Sequence, residues 1–224
     1  MVRRNRFFFA LFSLFRFSVS LGLIERPLVV GLLWGLFVGD LETSLYVAVF
    51  YELLWLDFIP VGTFIPPHMT AATFTALSLN SHLGLNSLPL VCISLAAGLP
   101  MAWLGTRLER TMRDRLNRSY GGVLQWVRRP EDAEVPSRLI FGTLASKIAV
   151  NWAFFLVGAG GLAMLAGFAL KHYGPALASI QVSWNILLLC ASLGGLLALR
   201  LRSLYIAVAA GAVIMAFLQY LGIF

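Results

Sequence analysis

Residues 27–56 read PLVVGLLWGLFVGDLETSLYVAVFYELLWL, two apolar runs of 13 and 14 residues split by a short polar stretch. A helix needs about 20 residues to cross a hydrocarbon core of roughly 30 Å, so neither run crosses alone. Pro27 is suited to open a helix, because a first-turn residue has no use for the amide donor that proline lacks. Short apolar pieces that end at polar residues predict discontinuous or re-entrant helices whose ends line a substrate path. The alternative is one continuous helix whose polar interruption is packed against its neighbours.

The rest of the chain sets the solvent. Of 224 residues, 59% are hydrophobic and 12% charged, with a mean hydropathy of +0.84. Apolar windows recur at 7–24, 88–105, 139–170, 176–199 and 203–224, several of them long enough to span a bilayer. None alternates with a period of two, which excludes a lipid-facing barrel. With no water to satisfy backbone amides, helices are the remaining spanning structure, and an all-α polytopic membrane protein is expected.

The net charge of +7 is carried by 15 arginines and two lysines, placed as topology signals rather than as a nucleic-acid surface. Arg3, Arg4 and Arg6 precede the first apolar run, eight arginines fall between 107 and 138, and Arg200 and Arg202 sit between apolar stretches. The positive-inside rule makes all three places cytoplasmic. The start also has the n-region and h-region of a secretory signal, but Arg16 interrupts the run and further spans follow. Cys92 and Cys190 lack metal-ligand spacing and read as packed thiols.

Residues 69–80, MTAATFTALSLN, are rich in small and hydroxylated side chains that allow close helix approach. Loop signals follow in NSHLGLNSLP, with His82 among them. Beyond Trp103, Leu104, Leu108, Met112 and Leu116 recur every fourth residue, and Glu109–Arg113 and Asp114–Arg118 are acid-before-base pairs. This predicts an amphipathic cytoplasmic helix on the membrane surface, or a docking face for a soluble partner. VRRPEDAEVPSR at 127–138 reads as an exposed cytoplasmic linker. One membrane domain results, with N-terminal helices to residue 105, a cytoplasmic part over 106–138 and C-terminal helices over 139–224.

Carboxylates in hydrocarbon are costly, so Asp40, Glu42, Glu52 and Asp57 need partners, interface positions or a wet cavity. Asp40 and Glu42 flank a turn and fit a membrane surface. Glu52 lies inside an apolar run and is read as a ligand or coupling residue, with a buried structural hydrogen bond as the competing role. Asp57 precedes FIPVG, where it would serve a site or cap a helix. Pro66 and Pro67 stop a preceding helix, placing His68 where the next one starts. Paired hydrogen bonds from vicinal hydroxyls suit such carboxylates, and Trp34, Tyr51 and Trp55 are near enough in sequence to stack on a sugar face. No nucleotide or zinc-protease motif is present, and neither catalysis, cofactor nor metal is expected in this chain.

The run from Arg26 to Gly62 resembles the N-terminal signature of the IIC subunit of the mannose/fructose/sorbose family of the sugar phosphotransferase system. The resemblance rests on Arg26-Pro27-Leu28, Gly39-Asp40 with Thr43, Glu52, Gly62 and Pro67, and more distantly on Asn185-Ile186. It implies a multi-pass transport subunit of a bacterial inner membrane, an oligomeric assembly, a IID membrane partner and cytoplasmic IIA and IIB phosphocarriers. It also implies that a hexose is moved inward and phosphorylated by IIB, the phosphoryl-carrying histidines belonging to IIA and IIB and not to His68, His82 or His172. Glu52, Asp40, Asp57, His68, Thr43 and Asn185 are the expected sugar-contacting positions. Pro60 and His68 depart from the family's usual Asn and acidic residue, which bears on the sugar carried. Two other readings fit the same residues: a proton-coupled or facilitative permease using Glu52, and a non-transporting membrane scaffold.

Overall fold

The computed structural model describes residues 25–58, 64–85, 87–128 and 135–220. The basic start with its Arg16-interrupted run, Pro60, Gly62 and the centre of the 127–138 linker lie outside the described residues. Seven helices and no strand form among those described: α1 (Pro27–Val38), α2 (Leu41–Leu54), α3 (Met69–Leu83), α4 (Leu88–Arg128), α5 (Val135–Ala178), α6 (Trp184–Ala198) and α7 (Arg202–Tyr220).

The opening stretch folds as a broken pair. Pro27 begins α1, and Gly39 ends it in the left-handed region at φ 86°, its N–H donating to the Gly35 carbonyl at 2.8 Å. Asp40 caps α2 by accepting the Thr43 N–H at 3.1 Å. At 1.5 Å per residue α1 and α2 are about 18 and 21 Å long, each short of a hydrocarbon core. A Cβ on Gly31 would collide with Ala48 and with the Ser44 carbonyl, so glycine is what lets the two helices touch.

Helix α3 is the buried centre, with every residue from Met69 to Leu77 shielded from solvent. Its small residues allow α1, α2 and α4 to close around it, as MTAATFTALSLN predicts. Thr70 Oγ1 donates to the Glu25 carbonyl at 3.2 Å, and Trp34 Nε1 donates to Ser81 Oγ at 3.3 Å, so α1 and α3 run in the same direction. The amphipathic stretch at 104–118 forms no separate surface helix. It is the second half of α4, which passes through Pro100 without a break and reaches Arg128. The physical reason is a partner: α5, 44 residues long and unbroken at GAGG, runs back along α4, and Gly158 fits against Met101.

Among the described residues, α4 and α5 contain the two segments long and apolar enough to cross a membrane, Leu88–Leu124 and Ile140–Ala178. Val157, Met164, Leu165 and Phe168 face outward from α5, as lipid-facing or partner-facing residues of a membrane protein do. Two smaller expectations are corrected. His82 lies in the last turn of α3 rather than in a loop, because the left-handed turn comes later, at Gly84. Cys190 is exposed on α6 rather than packed, while Cys92 is half-buried.

Candidate functional site

The N-terminus of α1, the C-terminus of α2 and the N-terminus of α3 meet at one end of the short-helix bundle. α2 brings Glu52 there, and its carboxylate makes two contacts. Arg26 Nη1 donates to Oε1 at 3.0 Å, and the Leu28 N–H in the first turn of α1 donates to Oε2 at 3.4 Å. The Glu52 side chain is 16% exposed and that of Arg26 34%, so the pair sits half in the protein. A charge placed this way is neutralised by its partner and by the positive end of a helix at once. Hydrogen-bonding capacity is left over: guanidinium has five N–H donors, and each carboxylate oxygen accepts more than one bond.

Asp57 lies just beyond α2 at the same end. Its Oδ1 is shielded from solvent and has no hydrogen-bond partner, so it is an acceptor in want of a donor. His68 is buried at 1% exposure and caps α3, its Nδ1 accepting the Ala71 N–H at 3.2 Å. Its backbone N–H donates to the Ala102 carbonyl at 3.2 Å, and Gly105 leaves the room that the imidazole occupies. The diproline before it does end the chain's approach to α3, as its sequence suggests.

The other three candidates stand elsewhere. Asp40 and Thr43 form the cap at the opposite end of α2, about 18 Å from Glu52 along that helix. Asn185 is exposed in the first turn of α6, next to Trp184, which stacks on Tyr46 at 4.7 Å. α6 then runs alongside α2 until Gly195 meets the Leu53 carbonyl, one residue past Glu52. The aromatic rings are engaged in packing: Tyr51 stacks on Trp55 at 5.2 Å and donates to the Leu95 carbonyl at 2.7 Å. Trp34 is likewise buried, against Phe74.

Arg26 is the residue that the candidate set lacks. The signal for it is a charge at the mouth of an apolar helix, since two opposite charges in one apolar region need each other.

The comparisons with known proteins bear on this same half of the molecule. The profile of the family described as PTS system sorbose-specific IIC component matches residues 7–119, which is 113 of 224 residues. Neither the curated proteins nor the solved structures provide a match. The matched span holds α1 to α3 and the greater part of α4, and with them Arg26, Asp40, Glu52, Asp57 and His68, whereas Asn185 lies beyond it. A match over half the chain that takes in the broken helix pair and its charged end places this protein in the IIC component family of the mannose/fructose/sorbose-type sugar phosphotransferase system.

Proposed function

We propose that the chain is the sugar-translocating subunit of such a system, binding a hexose from outside and moving it inward to be phosphorylated by IIB. In this reading it works in a bacterial inner membrane beside a IID subunit, with IIA and IIB as phosphocarriers, and carries out no phosphoryl transfer itself. Components of this family are transporter subunits that associate with other members of the system. The observation that carries the proposal is the Arg26–Glu52 pair set into the first turn of α1, with the unpartnered Asp57 oxygen at the same end.

The chemistry suits a polyol. A sugar hydroxyl both donates and accepts, so vicinal hydroxyls would bridge a carboxylate that accepts and a guanidinium that donates. Entry of the sugar would exchange part of the Arg26–Glu52 contact for contacts to itself, and Asp57 Oδ1 would accept one further hydroxyl. Within this proposal His68 holds the start of α3 in place beside the sugar, and Asp40 and Thr43 hold the α1–α2 turn. Asn185 stands as a further contact brought in by α6.

The test is uptake of labelled hexoses and hexosamines by cells lacking their own mannose-type permease. They would express this chain with a IID partner and the phosphocarriers, and free and phosphorylated label would be separated. Accumulation as sugar phosphate, abolished by Glu52→Gln, is the expected result. Entry as free sugar that survives loss of the carriers would replace this reading with an independent permease. Transport unaffected by Glu52→Gln would remove Glu52 from the site.

A further inference from the structure

The arm that α4 and α5 form beyond the short helices carries an apolar face that packing within the bundle does not use. An α-helix repeats its facing after about 18 residues, which is five turns and roughly 27 Å. The side of α4 at Ala102 and Thr106 covers the approach to α3. The His68 N–H donates to the Ala102 carbonyl at 3.2 Å, and Thr106 Oγ1 donates to the Pro66 carbonyl at 3.3 Å. Five turns further along, the same side presents Tyr120 and Leu124, 60% and 48% exposed, with Val127 beside them at 61%. On α5, Phe141 stands five turns from Ala159, which packs against the core, yet Phe141 is 70% exposed. Met101 meets Gly158 and Met112 shares a groove with Lys147, so the helices run antiparallel in constant register and bring Tyr120 and Phe141 to nearly the same level. The core-facing side of the helix pair thus continues past the bundle as an exposed apolar strip.

Lipid does not reach this strip. Trp103 and Trp152 are both exposed, and Arg107 stacks on the Trp103 ring at 3.9 Å. Aromatic rings beside cations mark the boundary of a hydrocarbon core. From Trp152, about 20 helical residues, or roughly 30 Å, reach Lys171, His172 and Tyr173, all exposed, which mark the opposite boundary. Tyr120 to Val127 stand about 25 to 36 Å past Trp103, whereas headgroups fill only about 5 to 8 Å beyond the core. A helix tilt of about 40° still leaves Tyr120 near 20 Å. Clustered apolar side chains at that height face water, and such a patch marks a protein interface.

Charge selects the partner. Residues 107–138 hold eight arginines against five carboxylates, a net +3. Arg110 and Arg128, themselves five turns apart, are exposed along the edge of the strip beside Leu124. A second copy of this chain would bring the same positive edge and be repelled, whereas an acidic surface is attracted.

We infer that the strip is the docking surface of a soluble protein whose apolar contact patch is bordered by acidic or phosphoryl groups. Resting on the transport reading above, that protein is the IIB phosphocarrier, whose phosphoryl group brings a charge of about −1.5 to −2 to the cationic edge. The position suits the task. Because the strip continues the side of α4 that faces α3, a body seated on it fills the corner between the arm and the bundle, over the end where Glu52 and Asp57 lie. From Thr106 to Arg128 the arm measures about 33 Å, the diameter of a small domain.

The experiment is binding of purified IIB, phosphorylated and unphosphorylated, to the full chain with its IID partner in phosphatidylcholine nanodiscs, read by biolayer interferometry. Tyr120→Ser with Leu124→Ser, both at exposed positions, should weaken binding roughly tenfold or more. Tyr120→Phe with Leu124→Ile should retain it. Gly122→Ser, on the opposite side of α4 where a Cβ meets nothing within 4 Å, should change it less than about twofold. Arg110→Gln with Arg128→Gln should slow association several-fold at low salt and less at high salt. Glu52→Gln should leave docking intact while abolishing uptake, so the docking surface and the sugar site fail separately. IIB that does not bind, or that binds the Tyr120→Ser, Leu124→Ser chain as well as the parent, would overturn the assignment, with accumulation of sugar phosphate still judging the transport reading. A photo-crosslinker replacing Leu124 that captures a second copy, or residues 1–24 of the same chain, in place of IIB would overturn it in favour of that occupant.

Discussion

Glu52 was legible from the sequence because a carboxylate with apolar neighbours on both sides has to be explained by a partner or a site. Its partner was not, since nothing local ties position 52 to position 26; the helix reversal at Gly39 and Asp40 brings them together. The pairing gives a measurable expectation. A double-mutant cycle of Arg26→Gln and Glu52→Gln, read by thermal unfolding in detergent, should yield a coupling on the order of 1 kcal/mol, modest because Arg26 is a third exposed. Additive losses would mean the two side chains do not interact in the folded protein. For transport, Glu52→Gln should abolish accumulation of sugar phosphate without lowering the amount of protein in the membrane. Asp57→Asn should weaken uptake by raising KM, because it replaces one of two acceptor oxygens and leaves the Arg26–Glu52 pair untouched.

Short helices and their caps were readable one by one, and what escaped was how far a helix extends once it has a neighbour. Pro27, Gly39-Asp40 and Pro66-Pro67-His68 each mark an end by local chemistry, and each end falls where that chemistry puts it. By contrast, the four-residue spacing of Leu104 to Leu116 defines an apolar stripe without saying whether lipid or protein covers it. Here α5 covers part of it, which turns an expected surface helix into the continuation of α4. The caps predict that Asp40→Ala costs about 1 kcal/mol of stability and that Asp40→Asn costs much less, since Asn also accepts the Thr43 N–H. Contrasting glycines provide a second check. Gly98→Ala would drive a methyl group into the Tyr51 hydroxyl and to 2.8 Å from the Ala72 carbonyl, and should lower stability by about 1–3 kcal/mol. Gly160→Ala meets nothing within 4 Å and should be neutral or stabilising by up to about 1 kcal/mol.

At the scale of the whole molecule, composition alone identified a helical membrane protein, because 59% hydrophobic residues without a two-residue alternation admit no other spanning structure. The arginine distribution predicts an orientation, with the α4–α5 tip inside and the Lys171–Tyr173 end outside. Substituted cysteines in a background lacking Cys92 and Cys190 test this. His172→Cys should react with a membrane-impermeant maleimide in intact spheroplasts, and Arg118→Cys only after permeabilisation; the reverse pattern would invert the topology.

The unbroken length of α4 has a mechanical consequence. Its 41 residues measure about 61 Å, twice the thickness of the hydrocarbon layer, so half of the helix stands clear of the bilayer as a stiff lever braced along its length by α5. A pivot of about 10° where α4 leaves the lipid sweeps the far tip through roughly 5 Å, on the scale of a full helical turn. The root of the same lever packs against Tyr51 and His68, so a force applied at the tip reaches the residues beside Glu52 through continuous helix rather than through a flexible linker.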